Sequence, residues 1–236
     1  MPTGLAGPVE FTANVNGETV RKVVDAGDIH QGLVPAASES VVELNGSWKF
    51  MPDPAAGFER PEFDDSSWKP IQVPSHWAMA GFTAEKDGGY RTHVNLPSNW
   101  QSRRIRIAFD AVYSGAEVWW NGRRVGSHLG GATPFQLDVS AAAKPGENVL
   151  AVRVAQETIA SRMDHMSMYA DFPLAGFMRR AYVFSVPALH VQRQQSHAEF
   201  DSEYKNAELV TELSVVNESA SSIASAGATD ADAGRP

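Results

Sequence analysis

Cysteine is absent from all 236 residues. That excludes disulfides, thiolate metal sites and a cysteine nucleophile together, and it leaves the redox compartment open. Long apolar runs are missing as well: no stretch approaches the roughly 20 residues of a membrane-spanning helix. The opening Met-Pro-Thr-Gly-Leu-Ala-Gly-Pro has no basic segment leading into an apolar one, so a cytoplasmic location is expected. Clustered cations are lacking too. Arg103-Arg104, Arg123-Arg124 and Arg179-Arg180 are isolated pairs. With a formal net charge of −8 and a pI near 5.3, neither nucleic acid nor an anionic membrane is expected as a partner. Helical periodicity of ordinary length is also absent; residues 140–144 fit at most one turn before Pro145-Gly146.

What is present is strand. Hydrophobic residues make up 43% of the chain and aromatic residues 9%, enough for a sizeable core. Residues 111–126 carry the strongest signal, two runs of strand-forming residues joined at Asn121-Gly122. Both positions of a type I′ turn need positive φ, which Asn and Gly tolerate best. Trp119 and Trp120 precede that turn, and strand alternation sends one indole into a core and the other outward. Residues 41–50 form a first strand around Asn45-Gly46, and residues 63–68 a turn whose Phe63 and Trp68 tuck back into the fold. Residues 71–74 form a short strand ended by Pro74.

Further strands are expected at 90–96, 104–109, 117–120, 124–127, 135–139 and 148–154, each bounded by Gly, Pro, Asn or Ser. This spacing points to a β-sandwich or barrel rather than βαβ units. In residues 103–109, Ile105, Ile107 and Phe109 share one face. Residues 156–172 follow no period and read as a long loop. Strands resume at 180–186, and Pro187 closes the domain. Residues 189–199 and 207–216 read as two strands of a different sheet. The division expected is an extended arm at 1–38, a β-domain at 39–187, a short second segment at 188–218 and a disordered, low-complexity tail at 219–236.

These motifs carry a family resemblance. Leu44-Asn45-Gly46-Ser47-Trp48-Lys49-Phe50, Phe63-Asp64-Asp65-Ser66-Ser67-Trp68 and Val73-Pro74-Ser75-His76-Trp77 precede the hairpin, Val118-Trp119-Trp120-Asn121-Gly122-Arg123-Arg124-Val125-Gly126. After it come Pro134-Phe135-Gln136-Leu137-Asp138-Val139 and Gly146-Glu147-Asn148-Val149-Leu150-Ala151-Val152-Arg153-Val154. In order and spacing they resemble the N-terminal sugar-binding domain of family 2 glycoside hydrolases, of the β-galactosidase and β-glucuronidase type. Ala175-Gly176-Phe177-Met178-Arg179-Arg180 resembles the segment closing that domain. Residues 188–217 look like the opening strands of the immunoglobulin-like domain that follows it.

The resemblance implies an all-β fold: a jelly-roll, galactose-binding-like β-sandwich followed by the first strands of an incomplete immunoglobulin-like domain. It also implies that the retaining chemistry belongs to two glutamates on a TIM barrel beyond that second domain. Roughly fifty residues follow Pro187, against about 250 for a barrel. No motif sets two sandwich glutamates in facing positions, so no catalytic residue, cofactor or metal is expected and the chain alone is expected to be inactive. Expected partners are a carbohydrate, a β-galactoside or related glycoside, and a catalytic barrel domain or chain. A free-standing carbohydrate-binding or interaction module, pairing with a separate catalytic chain, stays open as the alternative, although two strands alone leave an unpaired edge.

The resemblance marks two substrate-binding candidates. Asn121 offers both a donor and an acceptor to a pair of sugar hydroxyls, and its alternative role is that of first residue in a type I′ turn. Asp171 lies five residues before Gly176, where the family spacing is six; Asp164 is a weaker candidate, and either could equally be a solvated loop carboxylate. His165 with Asp164 and Asp171 lacks the spacing of a zinc site. Ser75-His76 lacks an orienting carboxylate, and Gly130-Gly131 lacks the following helix of a phosphate loop. Trp48, Trp68, Trp77 and Trp100 read as core or rim rings.

Overall fold

The structure, a computed structural model, describes residues 8–15, 18–25, 40–166, 175–219 and 228–229. The chain divides into two compact units, Ser40–Pro187 and a second made of Met1–Glu39 with Ala188–Pro236. In chain order the first strands are β1 (Pro8–Val15), β2 (Glu18–Asp25), β3 (Val41–Glu43), β4 (Gly46–Pro52), β5 (Lys69–Val73) and β6 (Ser75–His76). They are followed by β7 (Asp87–Leu96), β8 (Arg104–Phe109), β9 (Val112–Tyr113), β10 (Gly115–Trp120), β11 (Arg123–Leu129), β12 (Phe135–Asp138) and β13 (Gly146–Ala155). A helix, α1 (Ile159–Met166), precedes β14 (Gly176–Phe177), β15 (Ala181–Val186), β16 (Leu189–Phe200), β17 (Ala207–Asn217) and β18 (Ala228–Thr229).

Within Ser40–Pro187, a six-stranded sheet of order β11-β10-β13-β7-β4-β5 and a four-stranded sheet of order β12-β8-β15-β3 share one core. Strand alternation builds it. Ile105, Ile107 and Phe109 of β8 face Val118 and Trp120 of β10 and Leu150, Val152 and Val154 of β13, all buried in one cluster. A small sheet of order β6-β14-β9 adds Val112 and Phe177 to it. Of the sandwich or barrel that the strand spacing suggests, this is the sandwich, in the jelly-roll form that the family resemblance implies. Trp48, Trp68, Trp77 and Trp100 are all buried, each as a core ring.

The six-stranded sheet is covered on its other face too. Residues 53–68 lie across it, placing Phe58 and Trp68 against Ala151, with Met51, Phe63 and Trp119 packed around them. Arg91 of β7 fastens this segment. It is 2% exposed, pairs with Asp65 at 2.8 Å and donates to the carbonyls of Arg60 at 3.0 Å and Phe58. Burial on both faces explains why Val149 to Val152 read as an unbroken apolar run rather than an alternating one.

Three features differ from the sequence reading. The first 38 residues, expected as an extended arm, contain a hairpin in which β1 and β2 pair along their full length. The signal was there in Asn16-Gly17 between them. In the tail expected to be disordered, Ala228 and Thr229 pair with Val15 and Asn14; residues 220–227 and 230–236 lie outside the described residues. The loop expected at 156–172 contains α1. Its start is a reciprocal cap, with the Ser161 N–H donating to Thr158 Oγ1 at 3.3 Å and the Thr158 N–H donating to Ser161 Oγ at 2.9 Å. A serine at the third helical position does the work of the usual glutamate, which hid the signal. Strands β16 and β17 form an antiparallel hairpin with a register shift between Val191 and Arg193.

Candidate functional site

The β10–β11 turn has the backbone that Asn-Gly predicts, φ +50° at Asn121 and +78° at Gly122. Trp120 points inward and is fully buried, and its indole N–H donates to Asn148 Oδ1 at 3.0 Å. Trp119 takes the opposite face, as alternation requires. That face is not open: the indole meets Phe58 edge-on at 5.8 Å, with the Arg153 guanidinium 6.0 Å above it. Residues 53–68 cover what sequence alone left outward.

Asn121 is bound into the protein. Its Nδ2 donates to Ala142 O at 2.9 Å and to Asn148 Oδ1 at 2.8 Å. Its Oδ1 accepts the Val149 N–H at 2.8 Å. Asn148, 1% exposed, completes the knot by donating from Nδ2 to the carbonyls of Lys144 and Gly146, both at 2.8 Å. Two amides thus tie the hairpin tip to residues 142–149. A side chain at Gly122 would come within 2.9 Å of Pro61, so the tip also lies close against the covering segment.

Asp171 lies outside the described residues, as does the side chain of His165. Asp164 sits on α1 and accepts a hydrogen bond from the Tyr113 hydroxyl at 2.8 Å. Burial, with that bond and the carboxylate charge behind it, pushes the Tyr113 phenol up to about 12. Among the described residues no group of three or more His, Asp or Glu is placed to hold a metal ion. Ser75 donates to Gln72 O and His76 Nδ1 accepts the Ala78 N–H at 3.1 Å, both being turn contacts within the local chain. No helix of the described residues is long and apolar enough to cross a membrane.

Comparison with known proteins places this unit. Residues 82–187 match the family described as "Glycosyl hydrolases family 2, sugar binding domain". Residues 82–187 are a family 2 sugar-binding domain. The β-galactosidase of Priestia megaterium is 28% identical over 208 residues, covering 74% of this chain and 19% of that enzyme. The β-galactosidase of Vibrio cholerae is 30% identical over 199 residues, covering 72% and 19%. The apo structure of a β-glucuronidase from Ruminococcus gnavus superposes with a TM-score of 0.63 at 25% identity, over 75% of this chain and 34% of that one. The chain spans about a fifth of the length of these curated relatives. The family 2 match begins at Phe82, so Trp48 and Phe50, although they share the core, lie ahead of it.

Sequence reasoning missed one polar feature of the family 2 domain. Asp87, Glu117, Ser127, His128, Arg153 and Thr158 line a cleft of 520 Å³ on the six-stranded sheet. Its only sequence signal is Arg153, a lone cation in the apolar run of β13.

Proposed function

We propose that the family 2 domain of this chain serves as the non-catalytic, sugar-binding part of a glycosidase acting on β-galactosides or related glycosides, working beside a catalytic barrel. The observation that carries this reading is the extent of the likeness: 28–30% identity to two β-galactosidases, confined to about a fifth of their length. The sandwich carboxylates support it. Glycoside hydrolysis needs two carboxyl groups flanking one bond, roughly 5–10 Å apart. Of the two in the cleft, Glu117 is already engaged by a cation, Arg124 at 3.2 Å. Its cross-strand partner on β13 is Arg153, which stands between it and the β7 strand that carries Asp87.

The sugar-facing residues proposed are Asn121 and Asp171. For Asn121 the capacity left is the second lone pair of Oδ1, so its larger part is to hold the hairpin tip in shape. For Asp171 the support is its place five residues before Gly176. Galactoside titration of the Asn121→Ala and Asp171→Asn variants tests the pair; unchanged affinity in both removes the assignment.

Purified chain incubated with chromogenic β-galactoside and β-glucuronide is expected to show no turnover above buffer. Turnover that disappears in Glu117→Gln or Asp87→Asn would overturn the non-catalytic reading.

A further inference from the structure

The cleft of 520 Å³ lies across four adjacent strands, β11, β10, β13 and β7. Its volume is within the usual small-molecule range of about 300–1,000 Å³. Its floor is kept low by Gly115 and Ala155, cross-strand partners. A side chain at Gly115 would come 3.0 Å from Thr158 Cγ2 and 3.7 Å from Leu129 Cδ1, filling the space from below. The walls carry Asp87 and Glu117 against Arg153; the charge of Glu117 is already met by Arg124, which is not itself part of the lining, and that leaves Asp87 balanced by Arg153. Such a balance selects neither an anion nor a cation.

Arg153 is the informative residue. Its guanidinium is held over the Phe58 ring at 5.3 Å and the Trp119 ring at 6.0 Å. Its Nε is buried and has no hydrogen-bond partner. A planar donor group packed over two aromatic rings is held in one orientation, so the part of it that lines the cleft is pre-organised for a ligand. Around it stand carboxylate acceptors (Asp87, Glu117), hydroxyls (Ser127, Thr158) and the apolar side chains of Leu129 and Ala155. Donors and acceptors alternating around a small apolar floor complement a ring that bears vicinal hydroxyls on one side and C–H groups on the other.

We propose that this cleft is a second saccharide site, taking one neutral hexopyranose unit through Asp87, Glu117 and Arg153, separate from the hairpin tip at Asn121. It rests on the sugar-binding reading for the choice of a saccharide among neutral polyols. The test is an amide-resonance NMR titration of the whole chain with methyl β-galactopyranoside and methyl β-glucopyranoside, with glycerol and glucuronate as controls. The expected result is saturable shifts at Gly115, Glu117, Ser127 and Ala155 for either glycoside. Asp87→Asn and Glu117→Gln, both isosteric and so preserving the remaining spectrum, should each weaken binding about tenfold by turning a charged acceptor into a neutral one. No cleft shifts at glycoside concentrations up to about 50 mM would overturn the proposal. Shifts confined to residues 121–123 would overturn it while leaving the domain's sugar binding standing. Equal response to glycerol or to glucuronate would overturn the assignment to a neutral pyranose ring.

Discussion

At the residue scale, one buried amide carries more than its neighbours. Asn148 Oδ1 receives the Trp120 indole N–H, the Asn121 amide and the Lys144 backbone N–H, while its Nδ2 closes the 144–146 turn. Truncation would leave the Trp120 N–H buried without an acceptor. Asn148→Ala is therefore expected to cost about 3 kcal/mol, read as a lower denaturation midpoint at unchanged slope. Asp87 makes a prediction of the opposite sign. Its carboxyl is held above the usual carboxylate range, first by burial and then by Asp53 and Glu117, with Arg153 pulling the other way. A folded-state value above the unfolded one means that the protonated form is the one favoured by folding. The stability this group contributes is present below the unfolded value and lost as pH rises through the folded one, so at neutral pH the ionised carboxylate is a net cost. Asp87→Asn should raise the melting temperature at neutral pH, with a difference from the parent that shrinks as pH falls below the carboxylate range. A variant that melts lower at pH 7 would count against this.

At the element scale, β7 and the β10–β11 hairpin show why a strand covered on both faces constrains its own sequence. Gly88 and Gly89 sit side by side in β7, and each approaches a different aromatic cluster. A Cβ on Gly88 would come 2.6 Å from the Trp77 ring and 2.7 Å from Phe50, whereas one on Gly89 would come 2.8 Å from Pro54 and 2.9 Å from Trp68. Rings packed at native density cannot retreat by that amount without cost. Gly88→Ala is expected to destabilise by about 2 kcal/mol through overpacking, measured by thermal or urea denaturation. An equally stable variant would show that Trp77 has room to move. The hairpin makes the same point for function: its tip is set by amides from β13 and its outer face by residues 53–68, so a finger that looks free in the sequence is held from both sides.

At the scale of the whole molecule, the unit Ser40–Pro187 has its own continuous core, and all six tryptophans lie inside it. A chain cut to residues 40–187 is expected to keep a single cooperative unfolding transition by tryptophan fluorescence, with the midpoint of the full chain. Loss of that transition in the shortened chain would show that residues outside it complete the fold. In Leu189–Phe200 and Ala207–Asn217, by contrast, Val191, Phe200 and Leu209 stay half exposed or more, so this hairpin adds little buried area of its own.

Much of this was legible without coordinates, because it is local along the chain. Alternation of Ile105, Ile107 and Phe109, the Asn121-Gly122 turn and the order of the tryptophan motifs depend on neighbours a few residues apart, and together they determined the sandwich and its family. The missed elements also had local causes that a stricter reading could find: Asn16-Gly17 for β1 and β2, and the Thr158–Ser161 cap for α1. The surroundings of the candidate site were not legible. Whether Trp119 faces solvent, whether Asn121 is free to meet a sugar, and whether Arg153 has a cleft to point into all depend on segments distant in sequence. Residues 53–68 fold over the sheet because Arg91, some thirty positions later, takes their carbonyls and the Asp65 carboxylate. Sequence determines which faces a strand has. Only tertiary packing decides what lies against each of them, because burial is a property of the assembled layers and not of the strand.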